Sequence, residues 1–254
     1  MKSLASLVAL CLLTSGCGGS SVANSPVADW PVSGNWQMTL QNHGALTRTQ
    51  SGFLLENNNV VRGTLIFANS PCAGLSPVSG TVRGSDVSLS VEPTGMSIDL
   101  TGTLDPNQAS MSGSYMTLAS GCGKPETGTW TGDLVKPLNG SFQGRFVSTR
   151  SGTNFPITAE ITQGPNGGTA STSVTGTLSI TGYSCFATAN ISGLVSGTSV
   201  VINFGDSQSP QVGQLTAIST LDGSSLSGAF SIPAQRVPGA SCHAGDVGTF
   251  TLTM

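Results

Sequence analysis

Charge is what this chain of 254 residues has least of. Asp, Glu, Lys and Arg make up 8% of it, and the formal net charge is -3. There is no basic stripe to meet a phosphate backbone, which excludes nucleic acid as a partner. Aromatics are 6%, and histidine occurs only at His43 and His243. Two separated histidines, with no Cys-X-X-Cys or His-rich spacing, make no metal centre. No Gly-X-Ser-X-Gly elbow is present, and Gly164-Pro165-Asn166-Gly167-Gly168 leads into no helix that could cradle a phosphate. The carboxylates Asp99, Asp105, Glu126 and Asp133 fall on polar faces or in turns, where solvated surface is the expectation. The chain is therefore expected to be no enzyme, with no catalytic residue, no metal and no cofactor.

Long apolar runs are also missing, with one exception at the start. Met1-Lys2 is followed by an almost unbroken hydrocarbon run from Leu4 to Leu13, closed by Thr14-Ser15-Gly16-Cys17. The run is too short for a membrane span and has the layout of a secretory signal. Its end resembles the lipobox of bacterial lipoproteins, although Thr14 stands where that family usually carries Leu. The resemblance implies that the Cys17 thiol receives a diacylglycerol, that the bond before it is cut, and that Cys17 becomes the mature N-terminus. Gly18 lacks the aspartate that retains some members at the inner membrane, so the expected address is the outer membrane of a bacterial envelope. Residues 1–16 are then a signal peptide. Residues 17–32, rich in Gly, Ser and Pro, form a flexible tether. The lipid is the only membrane partner expected, each buried methylene contributing roughly 0.8 kcal/mol.

Beyond the tether the sequence repeats itself. Gly63-Thr64-Leu65 leads to Cys72, and Gly176-Thr177-Leu178 leads to Cys185. Met111-Ser112-Gly113-Ser114-Tyr115 is echoed by Leu226-Ser227-Gly228-Ala229-Phe230, and Gly128-Thr129-Trp130 after Cys122 by Gly248-Thr249-Phe250 after Cys242. Gly34-Asn35-Trp36 matches Gly140-Ser141-Phe142. A period of about 110 to 120 residues is too long for a solenoid and suits a whole domain. Two homologous domains follow, 33–135 and 139–254, joined by the short Lys136-Pro137-Leu138-Asn139.

Within each copy apolar and polar residues alternate with a period of two, as in Trp36, Met38 and Leu40 against Gln37, Thr39 and Gln41. Strands are predicted at 35–41, 50–56, 60–67, 78–83, 86–92, 95–104, 109–117 and 127–134. In the second copy they are predicted at 141–148, 155–163, 172–181, 188–195, 198–204, 212–220, 225–232 and 246–253. The expected fold is all-β: two tandem antiparallel meanders of about eight strands, each a small barrel or alternatively a sandwich. One transmembrane barrel of sixteen strands is disfavoured by the lack of aromatic girdles. In a meander, the loops after odd-numbered strands share one end. That rule predicts disulfides Cys72–Cys122 and Cys185–Cys242, each drawn across the barrel mouth and contributing roughly 4 kcal/mol in the chain-entropy model.

Gly34-Asn35-Trp36 resembles the Gly-X-Trp opening of lipocalins and avidins, which are eight-stranded barrels. The resemblance implies that Trp36 plugs the closed end of the first barrel. Trp36, Met38, Leu65, Tyr115, Trp130, Phe142 and Phe230 are the expected interior residues. Glycines on the apolar faces, such as Gly63, Gly102, Gly113 and Gly228, are expected to serve tight strand curvature more than to make room for a ligand. The function expected is a lipid-anchored envelope module that binds a protein or a glycan. The alternative is a carrier of a small apolar ligand inside the barrels.

Overall fold

The computed structural model describes residues 32–43, 47–68, 72–105, 109–118, 124–205, 213–234 and 245–254. Its sixteen strands form two closed antiparallel barrels of consecutive neighbours, which is the meander and not the sandwich. The first comprises β1 (Gly34–Asn42), β2 (Thr47–Asn57), β3 (Val60–Ala68), β4 (Gly74–Arg83), β5 (Asp86–Val91), β6 (Ser97–Asp105), β7 (Ser110–Leu118) and β8 (Thr127–Val135). The second comprises β9 (Gly140–Ser148), β10 (Asn154–Gln163), β11 (Thr172–Ile180), β12 (Thr188–Ser196), β13 (Ser199–Gly205), β14 (Gly213–Ser219), β15 (Ser225–Ile232) and β16 (Asp246–Thr253). Closure comes from β1 on β8 and from β16 on β9, so neither sheet has a free edge.

The period-two pattern sets which side chains go inside. Met38 lies opposite Gln50 and Gly132, and Trp36 opposite Gly52 and Leu134, so alternate residues of each strand converge on the axis. Trp36, Met38, Leu65, Tyr115, Trp130, Phe142 and Phe230 are all at most 3% exposed. Each such side chain contributes roughly 1.5–3 kcal/mol through burial. The indole N–H of Trp36 is satisfied by the Val32 carbonyl at 2.7 Å, at the end of the barrel with the short turns. The glycines follow the curvature expectation. A Cβ on Gly113 would fall on the Thr101 carbonyl, and one on Gly102 on that of Ser112, so these two strands cross too closely for any side chain.

Two strands begin three or four residues earlier than expected. β2 starts at Thr47 and not at residue 50, and β4 at Gly74 and not at residue 78. Arg48, Gln50 and Ser76 point inward there, opposite Leu40, Met38 and Leu65, and so break the apolar alternation. Pro77 also tends to disqualify a strand, but its missing N–H costs little where it sits on the outer face.

The barrels are docked to each other. Phe53 faces outward from β2 yet is 2% exposed, because it packs into the hydrophobic core of the second barrel. The amide of Asn35 donates to the Gly197 carbonyl at 2.8 Å and accepts the Gly197 N–H at 2.7 Å. Gln37 Oε1 accepts from the Thr198 backbone, Ser51 meets Ser196 at 3.0 Å, and Asn166 donates to the Leu54 carbonyl at 2.8 Å. Leu138 in the joining segment is fully buried in the second core.

Candidate functional site

Three places concentrate polar chemistry: the long-loop end of each barrel and the cleft between them. At the first barrel, Glu126 is the correction to the sequence expectation. It forms an ion pair with Arg48, accepts from Tyr115 Oη at 3.2 Å and from Asn42 Nδ2 at 3.3 Å, and is mostly shielded from solvent. A carboxylate expected on the surface instead lies among the inner residues of the mouth. Burial pushes the Tyr115 hydroxyl above its ordinary range, and the nearby Arg48 pulls it part of the way back.

Deeper in the same end, Gln50 and Ser76 are fully buried. Among the described residues neither the amide atoms of Gln50 nor the Ser76 hydroxyl has a hydrogen-bond partner, and Arg48 Nε has none either. Each such group costs roughly 1–3 kcal/mol. The second barrel supplies an internal comparison at matching register. Phe155 lies opposite Phe146 where Arg48 lies opposite Leu40, Ile157 occupies the place of Gln50, and Ala189 that of Ser76. The fold therefore does not demand these polar groups.

The second barrel fills its mouth with aromatic rings. Phe146 stacks on Phe230 at 4.5 Å, and Tyr183 packs edge-on to Phe155 and Phe186. Asp246, matching Glu126, accepts the Tyr183 hydroxyl at 2.8 Å. Burial raises the Tyr183 pKa strongly, and the hydrogen bond and negative charge of Asp246 raise it further.

Cys72 and Cys185 are both disulfide-bonded. Cys122 and Cys242, their expected partners, lie outside the described residues, as do Cys17, His243, the signal segment and the tether through residue 31. Cys72 is buried against the interior of the first barrel, and Cys185 packs on that of the second.

The cleft between the barrels has a volume of about 390 Å³. Phe53 and Leu134 give it apolar walls, and Lys136, Asn139, Gln163 and Asn166 give it polar ones. The carbonyl oxygens of two of these amides are committed. Gln163 Oε1 accepts the Leu138 N–H at 3.0 Å, and Asn139 Oδ1 accepts the Gln163 N–H at 2.8 Å. Sequence reasoning missed this site because its residues come together only when the two barrels dock. Among the described residues no group of three or more His, Cys, Asp or Glu is arranged to hold a metal ion, and no helix is long and apolar enough to cross a membrane. No protein-family model matches this chain, and no curated protein is significantly similar to it.

Proposed function

We propose that this chain is a non-enzymatic, lipid-anchored binding module of the bacterial cell envelope, held at the outer membrane through Cys17 and acting on another envelope protein. The observation that carries the binding part is the inter-barrel cleft. Ligand sites favour domain interfaces, and about 390 Å³ lies in the range that encloses a small ligand or a partner side chain. The cleft is set between two bodies locked by Phe53 and by the Asn35–Gly197 pair, so its walls are preorganised.

The interiors weigh against the carrier alternative, since the largest side chains of both barrels fill the axis with less than 2% exposure. The outer faces favour a protein over a glycan. The large apolar side chains exposed among the described residues are aliphatic or methionine, such as Leu75, Leu194 and Ile218, with no aromatic ring on which a sugar could stack. The mouth carboxylates support a role without catalysis, because Glu126 and Asp246 are both committed to structural partners.

Cell fractionation of Cys17→Ser tests the anchor. The variant should leave the membrane fraction for the soluble one, and its retention there would overturn the lipid attachment. Native mass spectrometry of the mature protein from its own envelope tests the cargo question. A clean mass is expected, whereas a small apolar adduct released on unfolding would replace this reading with the carrier.

A further inference from the structure

We infer that the inter-barrel cleft binds a carboxylate group, using the side-chain NH₂ groups of Asn139 and Gln163 and the ammonium of Lys136. This rests on the reading of the chain as a binding module and adds the chemistry of what is bound.

The argument is one of hydrogen-bond capacity. Each carboxamide has one acceptor and one NH₂ donor group. In Gln163 and Asn139 the oxygens are fixed by backbone N–H groups, at 3.0 Å and 2.8 Å, and this settles which end of each amide is spent. What remains on both is the whole NH₂ group, with two protons, against a single oxygen lone pair. Lys136 adds three more N–H donors and a positive charge, and it forms no ion pair among the described residues. Asn166 contributes nothing further to this count in its oxygen, which accepts the Gly168 N–H at 2.9 Å, while its NH₂ already reaches Leu54.

Among the described residues no carboxylate lines the cleft. Glu56, a neighbour through Ser33, is occupied by the Val32 N–H at 3.1 Å. A cleft whose free groups are mainly donors, with one cation that has no ion pair among the described residues and apolar walls of Phe53 and Leu134, complements an acceptor-only anion on an apolar stem. Carboxylates meet that description, whether as a free small acid or as the end of a polypeptide.

The same hydrogen bonds make a clean test possible. Asn139→Asp and Gln163→Glu keep the oxygens that accept Gln163 N–H and Leu138 N–H, but they replace each donor with negative charge. The full mature protein would be titrated with propionate, with propionamide, and with acetyl-trialanine bearing either a free or an amidated C-terminus. The readout is the NMR shift of the Asn139 and Gln163 side-chain NH₂ signals. Propionate and the free-acid peptide should shift them, and the two amides should not. A free-acid peptide binding more tightly than propionate assigns the site to a polypeptide terminus, and equal binding assigns it to small acids.

In the double variant carboxylate binding, followed by calorimetry, should weaken at least about tenfold with the thermal midpoint retained. Lys136→Gln should weaken it several-fold and remove most of its salt dependence. No response to either carboxylate, an equal response to propionamide, or undiminished binding by the folded double variant would overturn the inference. The Cys17→Ser fractionation and the native mass do not depend on these titrations, so the carboxylate chemistry can fail while the anchored module stands.

Discussion

Asn35 and Gly197, 162 residues apart in the chain, share a closed pair of hydrogen bonds at 2.8 Å and 2.7 Å that joins the two barrels. Gly197 occupies a two-residue hairpin turn with φ of 55°, and a Cβ there would strike Gln37 and Ser51. The pair thus needs both its particular side chain and its particular absence of one.

Removing the amide should therefore cost more than one hydrogen bond. Asn35→Leu leaves a buried N–H and a buried carbonyl of Gly197 without partners, and we expect a loss of about 2–4 kcal/mol. Gly197→Ala should loosen the same junction by strain and collision. Urea unfolding gives the energy, and small-angle scattering gives the separation. A compact Gly197→Ala protein of unchanged stability would show that the junction does not depend on this turn.

The opposite sign is expected inside the first barrel. Gln50→Ile and Ser76→Ala install the residues that the second barrel uses at the same register. Each removes buried polar atoms that lack partners, so each should raise stability by about 1–3 kcal/mol. A fall in the thermal midpoint of both variants would mean that these groups are satisfied in solution, by internal water for example.

The tyrosines make an alkaline prediction. The chain has only two, Tyr115 and Tyr183, and both are raised above the ordinary value of 10.0 in the fold. A tyrosine whose folded pKa exceeds its unfolded one contributes stability that is complete below pH 10 and is lost as pH rises above it. Tyrosinate absorbance should lag behind that of free tyrosine as pH passes 10, and the Tyr183 part should appear only with unfolding. Tyr183→Phe should flatten that alkaline limb. Ionisation of Tyr183 with an ordinary midpoint in a protein that is still folded would contradict the burial described for it.

Peptide mapping without reduction addresses the cysteines. We expect Cys72 joined to Cys122 and Cys185 to Cys242, each link closing its own barrel. A Cys72–Cys185 link would overturn that assignment, and with it the view that each mouth is tied independently.

Much of this architecture could be read from the chain. Alternation with period two exposes nearly every strand, and the echo of Cys72 and Cys122 in Cys185 and Cys242 exposes the duplication. The failures occur where inner residues are polar. Arg48 hides the start of β2, and Ser76 with Pro77 hides the start of β4. Glu126 looked solvated because its partner Arg48 is 78 residues away and invisible to a local pattern. The cleft was beyond reach for the same reason. Leu138 and Gln163 are 25 residues apart, and nothing local marks Phe53 as belonging to another domain's core.

The docking of Phe53 also bears on how the two barrels recognise each other. One barrel presents a different surface from the one it meets, and a head-to-tail contact of that kind can in principle be extended by further copies. Here both outer terminals are altered. At matching register the second barrel carries exposed Glu160 in place of Phe53 and exposed Ser141 in place of Asn35. The first barrel flanks the turn equivalent to Gly197 with Arg83 and Asp86, where its twin has Ser196 and Ser199. Each outer surface thus carries charge where the junction carries Phe53 or a pair of serines, so the contact made by Phe53, Asn35 and Gly197 cannot be repeated in the same form at either one.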